Sequence, residues 1–273
     1  MIPTIIGELA VRDTGEQPET TSEIMVLWPA IFTDHRIYRE QIKAWHNKHR
    51  LVVIDGSGHG DSKAAPRPFT MAQCGQALGE VLDALNIIKP VIIIGTSWGG
   101  LVAGEFALTQ PQRTKALIML NTPVYTSPNG ATFGDRLIAW GARWMHNMRI
   151  YRDGVARTYF LPKTREHGGQ LLEDFHQHLL KADGKALAQS VRSVLLDREE
   201  FAPRMHKIIA PTLFIVGQHD TMYPVKSLRN AAALLPKGRF EVLDTAHISA
   251  VDCPDKVTTL INDFLASFRN ELG

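Results

Sequence analysis

The feature that most narrows the possible folds is a run of β-branched residues passing straight into a glycine-flanked serine. Pro90-Val91-Ile92-Ile93-Ile94 leads without a break into Gly95-Thr96-Ser97-Trp98-Gly99-Gly100. A continuous apolar run of this kind is what a strand buried on both faces of a parallel sheet requires. A helix is expected from about Gly99 to Thr109. The G-x-S-x-G pattern, placed between strand and helix, makes a sharp, strained turn that holds the serine hydroxyl clear of the sheet. A side chain at Gly95 or Gly99 would collide with the neighbouring strand or helix. The N-terminus of the following helix favours negative charge. Ser97 is therefore a candidate nucleophile.

The rest of the chain alternates in the same way. Strands are expected over Glu23–Trp28, Leu51–Ile54, Ala116–Leu120, Pro211–Val216 and Arg239–Leu243. Helices are expected over Tyr38–Lys48, Met71–Leu85, Ser227–Leu235 and Pro254 to about Asn270. The polar stretch Asp13–Thr21 reads as a loop. This order predicts an α/β fold with a mostly parallel central sheet and helices on both faces. From about Thr122 to Arg204 the rhythm breaks, and the pattern is helical with no convincing buried strand. We therefore expect a core made of residues 1–121 and 205–273, and a helical cap over residues 122–204.

A serine hydroxyl needs a base, and the base needs an orienting acid. In this type of fold they follow in the order Ser, Asp or Glu, His. Asp220 comes just after the strand ending at Gly217, and His247 follows the next strand. Both fall in loops at the carboxyl ends of strands, where open α/β sheets place their sites. His219 and His59 are competing bases, and Asp244 is a competing acid.

With these residues the chain resembles the α/β-hydrolase superfamily over essentially its whole length. The likeness is to the capped branch of small-molecule esterases, lactonases and cofactor-free haloperoxidases. Asp55-Gly56-Ser57-Gly58-His59-Gly60-Asp61-Ser62 resembles the D-x-x-G-x-G-x-S turn after the family's fourth strand. The family's alternative position for the acid is here Asn121, which favours Asp220. The resemblance implies oxyanion-hole N–H donors at Trp98 and Ala30, each worth roughly 3–4 kcal/mol in the transition state. The family's His-Gly pair after the third strand is replaced by Trp28-Pro29. That change could shift the donor to Ile31 or put Trp28 into the substrate pocket.

The implied activity is hydrolysis of a carboxylic ester or lactone of a small, partly apolar substrate, through an acyl-enzyme on Ser97 and without a cofactor. The same triad also serves C–C bond hydrolysis, acyl transfer and perhydrolysis. A non-enzymatic ligand sensor on this fold is a further alternative. Within the cap, Trp140, Trp144, Tyr151, Tyr159 and Phe160 are read as an aromatic roof. Trp140, Trp144 and Tyr159 are the expected pocket residues, with Trp28 and Ile31 on the core side. Residues 135–165 also carry seven basic residues against Asp135 and Asp153. These charges are read as a solvated helix face rather than a membrane contact.

Composition excludes other classes. Thirty Lys and Arg against 28 Asp and Glu, in 273 residues, give no general reason to bind nucleic acid. Two cysteines, Cys74 and Cys253, cannot build a disulfide framework. No basic leader precedes an apolar run near Met1, and no run approaches the ~20 residues of a membrane span, so a cytoplasmic location is expected. No metal is expected: H-E-x-x-H and C-x-x-C are both missing, and His176 and His178 are two residues apart. The Gly58–Gly60 turn is no dinucleotide fingerprint, and the Gly95–Gly100 turn has no Walker lysine. The sequence leaves the oligomeric state open.

Overall fold

The computed structural model describes residues 1–16, 22–126 and 131–269. In chain order the strands are β1 (Ile2–Thr4), β2 (Gly7–Leu9), β3 (Val11–Asp13), β4 (Ile24–Trp28), β5 (Arg50–Ile54), β6 (Val91–Thr96), β7 (Thr114–Leu120), β8 (Thr212–Gly217) and β9 (Gly238–Leu243). The helices of the core are α1 (Arg39–Trp45), α2 (Met71–Ala84) and α3 (Trp98–Thr109). Between β7 and β8 come α4 (Phe133–Trp144), α5 (Arg149–Tyr159), α6 (Pro162–His167), α7 (Gly169–Lys181) and α8 (Gly184–Val191). The chain then adds α9 (Val225–Ala232), α10 (Ser249–Asp252) and α11 (Pro254–Arg269).

Among the described residues, seven strands form one sheet in the order β3-β5-β4-β6-β7-β8-β9. Every pairing from β5 to β9 is parallel, and only β3 runs antiparallel, on the edge beside β5. β4, β6 and β8 are buried along their full length because helices cover the sheet, which is why β6 carries no polar alternation. From β4 the chain moves outward to β5, then crosses back to β6 and continues in the opposite direction. Right-handed crossovers send helices to different faces when this direction reverses. The reversal makes the gap between β4 and β6 the topological switch point, the place where such sheets bind ligands.

β1 and β2 form a separate antiparallel pair, which no sequence pattern had marked. Three-residue strands are too short to show a period. The loop expected over 13–21 falls partly outside the described residues, as do residues 127–130 of the helical segment and the end of the last helix near Asn270. The helix expected over 38–48 is shorter, at Arg39–Trp45, because Tyr38 closes a preceding turn that Asp34 caps.

Candidate active site

Parallel register makes the strand ends level. Trp28 pairs with Gly95, Thr96 with Leu120, Leu120 with Ile215, and Gly217 with Leu243. The segments that follow these residues therefore emerge along one edge of the sheet. They carry Ala30 and Ile31, Ser97 and Trp98, Asn121, Asp220 and His247.

Ser97 occupies the turn between β6 and α3 with φ 53° and ψ −108°. A positive φ at a non-glycine residue is strained and persists only where the surroundings hold it. Its N–H donates to the Leu120 carbonyl at 2.7 Å, which extends the β6–β7 ladder into the turn. The glycines on either side have no room for a side chain. A Cβ at Gly95 would lie 2.1 Å from the Gly99 backbone, and one at Gly99 would lie 1.9 Å from the Trp28 carbonyl oxygen. The tight packing at Gly99 brings the start of α3 against the loop after β4.

Asp220 and His247 are buried together. His247 Nδ1 lies 2.8 Å from Asp220 Oδ2. Asn121 Nδ2 also donates to Asp220 Oδ2, at 3.1 Å, and the Met222 N–H donates to Oδ1 at 3.0 Å. Burial works to raise the Asp220 pKa, but the His247 charge and these hydrogen bonds outweigh it and hold the group below its ordinary value. An ionised Asp220 accepts the proton on Nδ1, so Nε2 of neutral His247 is an acceptor. That Nε2 is buried and has no hydrogen-bond partner among the described residues.

The rival residues are placed elsewhere. His219 and Asp244 pair with each other at 2.7 Å, with both side chains more than half exposed. His59 is buried, with Nδ1 3.0 Å from the Ser57 carbonyl and Nε2 accepting the Phe32 N–H at 2.9 Å. Burial, and then the neighbouring His178, push its pKa down to about 4. Both ring nitrogens are thus engaged in a neutral imidazole. This bond also supports Phe32 at φ 62°, in the middle of the loop after β4. With the Phe32 N–H committed to His59, Ala30 and Ile31 remain as the candidate donors of that loop. Trp28 is fully buried below them, with its ring edge-on to Trp98 at 5.7 Å, and does not face the cavity.

Sequence reasoning treated Asn121 only as a missing acid. Its amide bridges Asp220 and the Ala246 carbonyl, and it receives the Ser249 hydroxyl at 2.8 Å. Asp252 gave no sequence signal at all. It accepts the Ala246 N–H at 2.8 Å, the Leu161 N–H at 3.1 Å and the Thr164 hydroxyl at 2.6 Å. It thereby ties the His247 loop to the start of α6. Burial raises its pKa despite these bonds.

Beside the Asp220–His247 pair, a cavity of about 410 Å³ opens between α4, α5 and the loop after β4. Ile31, Trp140 and Tyr159, all expected near substrate, line it together with Phe32, Tyr151 and Met222. Tyr159 stands between the cavity and His247: its ring is 5.2 Å from the imidazole, and its hydroxyl donates to the Ile31 carbonyl at 3.0 Å. Trp144 does not belong to this lining. Its side chain points to solvent, with the Arg143 guanidinium 4.8 Å over the ring. Phe160 packs into the core against Phe175.

The family model for the alpha/beta hydrolase fold matches residues 23–192. The chain belongs to this family. Among relatives of this hydrolase-fold chain is 3-oxoadipate enol-lactonase 1 of Acinetobacter baylyi. It is 26% identical over 266 residues, covering 96% of this chain and 94% of that protein. The solved enol-lactonase from Burkholderia xenovorans is 25% identical with a TM-score of 0.85, over 94% of this chain and 96% of that one. A thermophilic esterase from Thermogutta terrifontis is 25% identical with a TM-score of 0.84, over 95% and 93%. These likenesses support a hydrolase of the ester or lactone type. No helix among the described residues is long and apolar enough to cross a membrane.

Proposed function

We propose that the protein hydrolyses a carboxylic ester or lactone with a small, partly apolar acyl or alkyl part. Ser97 is the nucleophile, His247 the base, and Asp220 the acid that orients it. The observation carrying this reading is the buried 2.8 Å contact between Asp220 and His247 Nδ1, which leaves Nε2 as the free acceptor on the edge where Ser97 stands. His247 takes the Ser97 proton as the oxygen attacks the carbonyl carbon, and the ionised Asp220 stabilises the imidazolium. The oxyanion is held by the Trp98 N–H, with Ala30 as the second donor. The alcohol leaves with the proton from His247. Water, deprotonated by the same imidazole, then releases the acid and restores Ser97.

Residues 122–204 act as the cap in this reading, and the substrate's apolar part occupies the cavity bounded by Tyr151, Tyr159 and Trp140. The apolar lining supports an uncharged group there. A panel of p-nitrophenyl esters and lactones of graded chain length, assayed with wild type and Ser97→Ala, tests the reading. Turnover that disappears in the variant supports it. Turnover that survives Ser97→Ala would remove Ser97 from the mechanism.

A further inference from the structure

On α4, Phe133, Leu137, Trp140 and Trp144 recur at intervals of four, three and four residues. That spacing makes one stripe along the helix. An ordinary surface helix turns such a stripe inward. Here it faces out: Phe133 is 82% exposed, Trp144 63%, Leu137 54% and Trp140 53%. The buried positions of α4 are Ala139, Gly141 and Ala142 instead; Gly141 meets the Tyr151 ring, and the helix as a whole packs against α8. The apolar surface continues through Met148 and Ile150 at the entry to α5. Elsewhere among the described residues, exposed large apolar side chains are scattered. A contiguous apolar patch of this kind marks an interaction surface.

Basic side chains accompany the stripe. Arg136 and Arg143 lie one turn-position to its side on α4, and Arg149 begins α5 with its side chain 88% exposed. Two acids lie nearby: Asp135, which closes a capping box with Thr132, and Asp153, which pairs with Arg149 at 3.4 Å, so the stripe's own basic charge comes chiefly from Arg136 and Arg143. We propose that this face of the cap docks on the anionic surface of a phospholipid bilayer. Tryptophan and phenylalanine enter the boundary between headgroups and acyl chains, while the arginines meet phosphate. Leu137, Trp140 and Ile150 belong to both the exposed face and the cavity lining, so the cavity opens into the docked surface. An amphiphilic ester would then enter from lipid without crossing water. A second copy of the chain fits less well, because a two-fold interface would set this basic rim against itself.

Docking is independent of the proposed chemistry at Ser97 and is read with Ser97→Ala as well as wild type. The probes are vesicles of phosphatidylcholine alone and of phosphatidylcholine with one quarter phosphatidylglycerol, at low and high salt. Trp28, Trp45 and Trp98 are buried, so a change in native tryptophan emission reports on Trp140 and Trp144. We expect co-sedimentation with the anionic vesicles, a blue-shifted emission, and release by salt. The double variant Phe133→Ser/Trp144→Ser should lower partitioning at least about tenfold. Arg136→Gln and Arg143→Gln should each weaken binding about fivefold, on anionic vesicles only. An unperturbed thermal unfolding transition serves as the folding control for all of them. Failure to bind anionic vesicles would overturn the proposal, as would equal binding by the Phe133/Trp144 variant. So would a dimer in solution that Phe133→Ser dissociates, since the face would then belong to a second copy.

Discussion

At the carboxyl edge of the sheet, Asp220 receives three hydrogen bonds within a buried network, while on α4 two tryptophans stand in solvent. The two regions differ in what holds a side chain in place. In the first, the polar groups around Asp220 are buried and held by fixed partners, with His247 Nε2 the exception, so losing one leaves another unsatisfied in a low-dielectric site. In the second, small residues set the packing and large ones are left to meet something outside. Rigid geometry suits bond-breaking chemistry, and an adaptable apolar rim suits admission of substrate. Substitutions in the two regions should therefore fail in different ways.

The sharpest break is Ser97→Ala. We expect kcat to fall by about five to six orders of magnitude, with the melting temperature nearly unchanged, because residual rate comes only from binding and oxyanion stabilisation. Stopped turnover with an unperturbed thermal transition is the measurement. Asp220→Asn should lower kcat by about 10⁴, since the amide permits the wrong imidazole tautomer. Asp244→Asn, which touches only the exposed His219, should leave kcat within about twofold, as surface pairs contribute little. If these two variants exchanged phenotypes, the acid would be reassigned while Ser97 and His247 stood.

A third test probes the buried network through pH. His59 has its pKa lowered from 6.5 to about 4 by burial, so the unfolded chain takes up this proton first as pH falls. Its contribution is complete above about pH 6.5 and is lost as pH falls through 4, amounting to about 3 kcal/mol. Denaturant unfolding at a series of pH values should show this slope, and His59→Gln should reduce it, leaving the share of His178, whose pKa burial also lowers. Asp34, Asp55 and Asp220, whose pKa values are all lowered, lose their contributions only below about pH 4. A His59→Gln variant that kept the full wild-type slope between pH 6.5 and 4 would contradict a neutral buried His59.

The smallest expected effect separates two tryptophans of the same helix. Trp140→Ala should change relative kcat/KM among acyl lengths, with about 1–2 kcal/mol of discrimination for a missing contact. Trp144→Ala should leave the ranking of soluble substrates unchanged, because it lies outside the cavity. Equal shifts in both variants would mean that the cavity reaches further along α4 than its present lining.

The Gly95–Gly100 turn was legible in the sequence because its geometry demands particular residues: backbone approaches of about 2 Å tolerate only glycine at Gly95 and Gly99. The alternation of strands and helices was equally legible, since burial on both faces of β6 leaves its composition no choice. Three-residue strands escaped, having no period to detect. Chain order already favoured Asp220 over Asp244 and His247 over His59 and His219, but what surrounds each of them needed tertiary contacts. All lie in or beside loops of similar composition, and only folding pairs His219 with Asp244 and closes both nitrogens of His59. The bridge from Asn121 to Asp220 and the tie from Asp252 to α6 join positions more than 80 residues apart, a separation that no local pattern encodes. The outward stripe on α4 is the clearest case. Periodicity specified that Phe133, Leu137, Trp140 and Trp144 share a face, but a helix pattern carries no information about direction. Packing of α4 against α8, with Ala139 and Ala142 buried, turned that face toward solvent.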